Sequence, residues 1–155
     1  MTVPFGATAT AVDALRDRIR ASLPLPTEPD GVAVFDGPAP ERAYAPRAVT
    51  VAAAFQDDQD AVAVTRTESG ALPHVTETLT VAGSVYAGGG DVDVERYRRE
   101  AGAVMTAIED GLRSDRTLGG TVNLARLESA QWLQGRDATG TGVSIGFTVE
   151  LVSLR

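Results

Sequence analysis

Apolar residues recur with two different periods in the last third of the chain, and the pair of periods narrows the possible folds sharply. Val94, Tyr97, Ala101, Val104, Ile108 and Leu112 fall three or four apart, the spacing that lines one face of an α-helix. Val143, Ile145, Phe147, Val149 and Leu151 then alternate with Ser144, Gly146, Thr148 and Glu150, the period of a strand with one buried face. Between them, Ser114-Asp115-Arg116-Thr117-Leu118-Gly119-Gly120-Thr121-Val122 stops the helix and launches a first strand. The sequence therefore predicts one long helix over 93–114 followed by two long strands.

The earlier part of the chain adds a second helix and shorter strands. Thr8 to Ser22 reads as a helix with Thr8 or Thr10 as its N-cap and Val12, Leu15 and Ile19 as its buried stripe. Asp13–Arg16 and Asp17–Arg20 stand at pairing distance on its other side. Pro24, Pro26 and Pro29 end it. Val32–Phe35 is a short strand, Ala48–Phe55 a second, Ala61–Thr67 a third and His74–Tyr86 a longer fourth. Val49, Val51, Ala53 and Phe55 share one face of the second strand. Glu77 interrupts the apolar face of the fourth, which places that strand's start at an exposed edge. The order α, β, β, β, β, long α, β, β implies an α+β fold over a single domain, residues 1–155. Its sheet is mixed but mainly antiparallel, with two helices packed on one face and a β-hairpin closing the C-terminus.

Charge and composition remove whole classes of function. The formal net charge is −7, and all 14 basic residues are arginine. Neutralising phosphates needs clustered positive charge, so neither general nucleic-acid binding nor an anionic membrane surface suits this chain. An acidic wall instead lets DNA slide past without sticking. With no cysteine and one histidine, His74, thiolate zinc sites, cysteine nucleophiles and histidine-rich metal sites are excluded within one chain. No signal peptide stands at Met1–Ala11, and no apolar run approaches the roughly 20 residues of a membrane span. A soluble protein made in the cytoplasm is expected.

No constellation carries chemistry. Gly88-Gly89-Gly90 lies between a strand and a helix, yet no Lys-Ser/Thr follows, and Asp91, Asp93 and Glu95 would repel a phosphate there. It reads as a turn into an acid-capped helix. Gly140–Gly146 is a turn and strand start. His74 beside Pro73 has no G-x-S-x-G elbow or other partner that would make it a base. Asp57, Asp58 and Asp60 fail as an EF-hand, since Val62 stands where its glycine must be; they read as a solvated acidic hairpin tip. Arg96, Arg98 and Arg99 form a solvated face or an interface, and Trp132 a core or interface anchor. No catalytic residue, metal ligand or cofactor is expected.

The helix, then Arg113–Val122 with Asp115, Leu118, Gly119, Gly120 and Val122 as a "D-x-x-L-G-G-x-V" segment, then a strand, a polar turn and a final alternating strand, resembles the tail-terminator proteins of long-tailed bacteriophages. The resemblance is to those of phages and prophages of high-GC actinobacteria. The opening, a helix and then Val32–Phe35 with Asp36-Gly37-Pro38, is similar as well. The order of elements matches over nearly the whole chain, except at 56–73.

The resemblance implies a structural virion protein rather than an enzyme. Such a protein forms a ring, a homohexamer, on the head-proximal end of the tail tube. There it stops polymerisation of the major tail tube protein and offers a docking face to the head–tail connector or stopper. DNA passes through without specific binding, no membrane is involved, and assembly takes place in the host cytoplasm. Asp57, Asp58, Asp60, Arg136 and Asp137 are then the expected partner-facing loop residues. Two other readings stay open: another neck component such as a stopper, and a small-molecule-binding α+β domain.

Overall fold

The structure, a computed structural model, describes residues 6–39, 46–68, 75–137 and 140–154. Two helices, α1 (Gly6–Ala21) and α2 (Val94–Ser114), accompany six strands: β1 (Ala33–Asp36), β2 (Arg47–Val51), β3 (Val62–Glu68), β4 (Val75–Gly89), β5 (Leu124–Asp137) and β6 (Gly140–Leu154). All six strands join one open sheet in the order β1-β2-β4-β6-β5, with β3 also paired to β4. Only β1 and β2 run parallel; the remaining pairs are antiparallel. The fold is thus α+β, with the helices against one face of a mainly antiparallel sheet and β5–β6 as its closing antiparallel pair.

The strand β4 organises the sheet. One of its sides pairs with β6 over Thr76–Gly89. The other side is shared: β3 takes Val75–Val81 and β2 takes Gly83–Ala87. β2 and β3 therefore lie end to end along β4, and the chain leaves the sheet between them. Both ends of that excursion bond to one residue: Ala53 N–H donates to the Ala82 carbonyl at 3.1 Å, and Ala82 N–H donates to the Ala61 carbonyl at 2.9 Å.

Strand alternation separates the two faces. Leu79, Val81, Val85, Ile145, Val149 and Leu151 point to the helices and are buried, joining Tyr97, Ala101, Val104, Met105, Ile108 and Leu112 of α2 and Leu15 and Ile19 of α1 in one core. The predicted stripe of α2 is the buried one, and Asp93 caps the helix by accepting Arg96 N–H at 3.1 Å. After Ser114, Leu118, Gly119 and Gly120 take successive positive φ values of 50°, 67° and 87°. The Asp115 carboxylate accepts Gly119 N–H at 3.1 Å and holds that left-handed stop.

Several expectations need correcting. α1 begins at Gly6, so Thr8 and Thr10 lie inside it and neither is the N-cap. Asp17 pairs with Arg16, not Arg20, while Arg16 also reaches Asp36 at 2.7 Å and ties α1 to the end of β1. β2 stops at Val51, because Ala52 adopts φ 59° and turns the chain out of the sheet. The acidic segment 56–60 is consequently not a hairpin tip, since β2 and β3 pair with β4 and not with each other. Finally, Glu77 does not mark an exposed edge. It lies between β3 and β6 with 1% of its surface exposed.

Candidate assembly surfaces

Three surfaces are available: the helix-free face of the sheet, its two open edges, and the outer side of α2. The helix-free face is built from the even-numbered residues of β4 and β6. Their alternation sets Thr76, Thr78, Thr80, Ser84 and Tyr86 opposite Leu154, Val152, Glu150, Gly146 and Ser144. Hydroxyl-bearing and apolar side chains thus share this face, and Thr50 and Ser84 share a hydrogen bond of 2.7 Å. Arg126, the cation placed there by β5, is held by Glu150 at 2.7 Å.

The excursion folds over this face. Phe55 lies directly on Gly146, where a Cβ would overlap its ring. A glycine inside an otherwise alternating strand is the usual mark of such a close approach. Gln56 Nε2 donates to Gln131 Oε1 at 2.5 Å, and Gln59 Oε1 accepts Phe55 N–H at 2.8 Å. Together they roof a cavity of about 210 Å³. Asp57, Asp58 and Asp60 form the exposed rim of this roof.

Arg136 and Asp137 occupy the last positions of β5, opposite Thr141 and Gly140 at the hairpin end of the sheet. The structure does not bring them together with the acidic rim. Gly146, under the excursion, and Gly142, opposite Gly135, stand four residues apart on β6, roughly 13 Å at strand rise. The aspartates rise from the middle of a face, whereas Arg136 and Asp137 sit at a strand end. His74, Ser69 and Tyr44 lie outside the described residues.

On α2, Arg96 pairs with Asp91 at 3.0 Å, Arg99 pairs with Glu95, and Arg98 donates to Gln134 of β5 at 2.9 Å. Arg96 also donates to the Tyr97 hydroxyl at 2.8 Å and lies over its ring. The Tyr97 hydroxyl, the Asp93 backbone and Arg96 hold the Asp91 carboxyl below its usual range, while Asp91 and burial push the Tyr97 phenol up. This is a tight local network that fixes the β4–α2 turn. Trp132 lies over Gly102 of α2 at 3.4 Å from where a Cβ would sit, yet remains 46% exposed.

A buried ion pair escaped the sequence reading. Arg66 Nε donates to Glu77 Oε2 at 2.8 Å, and Thr8 Oγ1 approaches Glu77 Oε1 at 3.4 Å. Only the β3–β4 register, which opposes residues 66 and 77, reveals it. Among the described residues no three or more histidine, aspartate or glutamate side chains converge as a metal site, and no helix is long and apolar enough to cross a membrane. Comparison with known proteins finds no matching protein family and no matching curated protein.

Proposed function

We propose that this protein is a tail terminator: a ring, a homohexamer, that caps the head-proximal end of a phage tail tube and presents a docking face to the head connector. The observation that carries the reading is the helix-free face. Threonines, serines and glycines stand there beside Tyr86, Val152 and Leu154, its arginine is paired with Glu150, and an acidic excursion stands over it. Turned toward a channel, such a surface gives DNA no clustered cations to bind and lets it pass. The helices on the opposite face stiffen the sheet from outside, as a ring that must hold its shape requires.

The order of elements and the "D-x-x-L-G-G-x-V" stop support the same reading. The test is electron microscopy of the purified protein mixed with the tube subunit encoded in the same genome, with mass photometry of each alone. Rings at one end of tubes that have stopped growing are the expected result. Tubes of unchanged length with no cap would overturn it and shift attention to a stopper role, for which the head connector is the bait.

A further inference from the structure

We propose that the free protein is held as a two-fold dimer, in which β5 of one copy pairs antiparallel with β5 of a second copy about Leu133. The inference goes beyond the ring reading, since it concerns the protein before any tube is met. The surface is the outer side of β5, which no strand pairs among the described residues. Its start is engaged, because Ala125 N–H donates to the Arg116 carbonyl at 2.6 Å. Past the bulge near Glu128 the edge opens and runs from Ser129 to Asp137.

This open stretch is poorly guarded. It contains neither proline nor lysine, and from Ser129 to Gly135 it has no charge. Trp132 and Leu133 are 46% and 51% exposed, one on each face. Soluble proteins blunt such edges with charge, proline or brevity. An edge that is uncharged and apolar on both faces is best covered by a strand of the same character, and β5 of a second copy is one.

The self-pairing fits without a mismatch. A two-fold axis normal to the sheet keeps helix side next to helix side, so opposed residues must share a face. Ala130, Trp132 and Gln134 oppose the buried Phe147, Ile145 and Val143 of β6 and stand on the helix side. Ser129, Gln131, Leu133 and Gly135 stand on the other. Centred on Leu133, the pairing sets Leu133 against Leu133, Trp132 against Gln134 and Gln131 against Gly135. Arg136 and Asp137 fall opposite Ala130 and Ser129, so no like charges meet. Centring on Trp132 would run Arg136 into the bulge, beyond which the faces fall out of phase. Centring on Gln134 would shorten the paired stretch and part the two Leu133 side chains. Leu133 is the centre that uses the whole edge.

Two local features leave room for the contact. Gln56 of the excursion reaches the edge at Gln131, where the second copy presents Gly135, which has open space about it. On the helix side, Trp132 lies against Gly102 of α2, and its counterpart stands one diagonal step away, within reach of an aromatic ring. The contact is isologous and closes after two copies. With the sheet turned to a channel, this two-fold crosses the ring axis and sets its two copies in opposite senses. In a ring whose ends differ, all subunits point the same way. The dimer must therefore part before a ring forms, and it keeps free subunits out of rings.

The full chain carries its own probe, since Trp132 is the single tryptophan. Size-exclusion chromatography with light scattering should show monomer giving way to dimer as concentration rises, and Trp132 emission should shift to the blue over the same range. Leu133→Lys sets two cations together on the axis and should stay monomeric. Thr65→Lys, at an exposed position of β3, should dimerise like wild type, and circular dichroism checks the fold of each variant. The chain has no cysteine, so oxidised Leu133→Cys should give a covalent dimer and no larger species. Directly opposed Cα atoms lie about 4.5 or 5.5 Å apart, both within disulfide reach. Gln131→Cys and Gly135→Cys should cross-link when mixed and not singly.

A protein that stays monomeric at every concentration overturns the proposal, as does a Leu133→Lys variant that dimerises like wild type. Capping of tubes by the oxidised Leu133→Cys dimer overturns it too. A monomer that caps tubes removes the β5 contact and leaves the terminator reading; a dimer that parts on dilution but never caps tubes does the reverse.

Discussion

Replacing Glu77 by glutamine should destabilise the protein by about 1–2 kcal/mol. Glu77 has 1% of its surface exposed, and its carboxylate receives Arg66 at 2.8 Å and Thr8 at 3.4 Å. Glutamine keeps the shape and one acceptor oxygen, which can face Arg66 while its NH2 donates to the Thr8 hydroxyl, but it removes the charge. A hydrogen bond to a charged group contributes roughly 1.5–3 kcal/mol against about 0.5–1.5 kcal/mol for a neutral one, and the difference is the expected loss. Glu77→Ala also removes the acceptors and leaves a gap, so about 2–4 kcal/mol is expected. This reaches below the roughly 3–5 kcal/mol for broken buried pairs, because the Arg66 side chain is 28% exposed and water can solvate the guanidinium left behind.

Urea denaturation is the assay, with the midpoint read at constant slope. For a domain of this length, each kcal/mol corresponds to roughly 2–4 °C in Tm. A double-mutant cycle with Arg66→Gln should return a coupling of about 1–2 kcal/mol. If both Glu77 variants lie within about 0.5 kcal/mol of wild type, the pair merely fills space and the argument for its role in holding β3 to β4 is wrong.

Other outcomes follow from single positions. Gly119→Ala puts a side chain at φ 67° and should cost about 1–2 kcal/mol in urea melts, with Gly119→Asn costing less. Gly146→Val should push Phe55 off the sheet, and limited proteolysis should then cut near 56–60 faster while the far-UV circular dichroism stays unchanged. Excising 56–60 should leave the sheet folded, since Ala53 and Ala61 already meet at Ala82; unaltered particle yield and tail length would remove the acidic rim from any docking role. Asp91→Asn should weaken the protein at neutral pH. The folded carboxyl lies below its ordinary 3.8, so its contribution is present above that value and lost as pH falls through the depressed one. The stability gap between wild type and variant should therefore narrow in acid.

Local pattern was enough to read the elements whose environment is uniform along their length. α2 shows its stripe because Tyr97, Ala101, Val104, Ile108 and Leu112 all face one core, and β6 shows strict alternation because one side of it meets helices and the other does not. The Leu118-Gly119-Gly120 stop was legible because left-handed backbone selects glycine. Alternation carries no record of where a strand leaves the sheet. Ala53 and Phe55 continue the pattern of Val49 and Val51, yet the chain turns out at Ala52 and Phe55 packs on the opposite face.

Pairing, by contrast, is a property of two distant segments. Whether Glu77 lies at an edge or in the middle depends on which strand stands beside it, and only the registers opposing 66 to 77 and 77 to 153 answer that. The same registers divide one side of β4 between β2 and β3 and lift the acidic segment onto a face. Period and turn chemistry in the sequence determined the α+β class, α2 and its stop. Long-range hydrogen bonding alone decided which residues are neighbours, and with it the surfaces this protein offers to a partner.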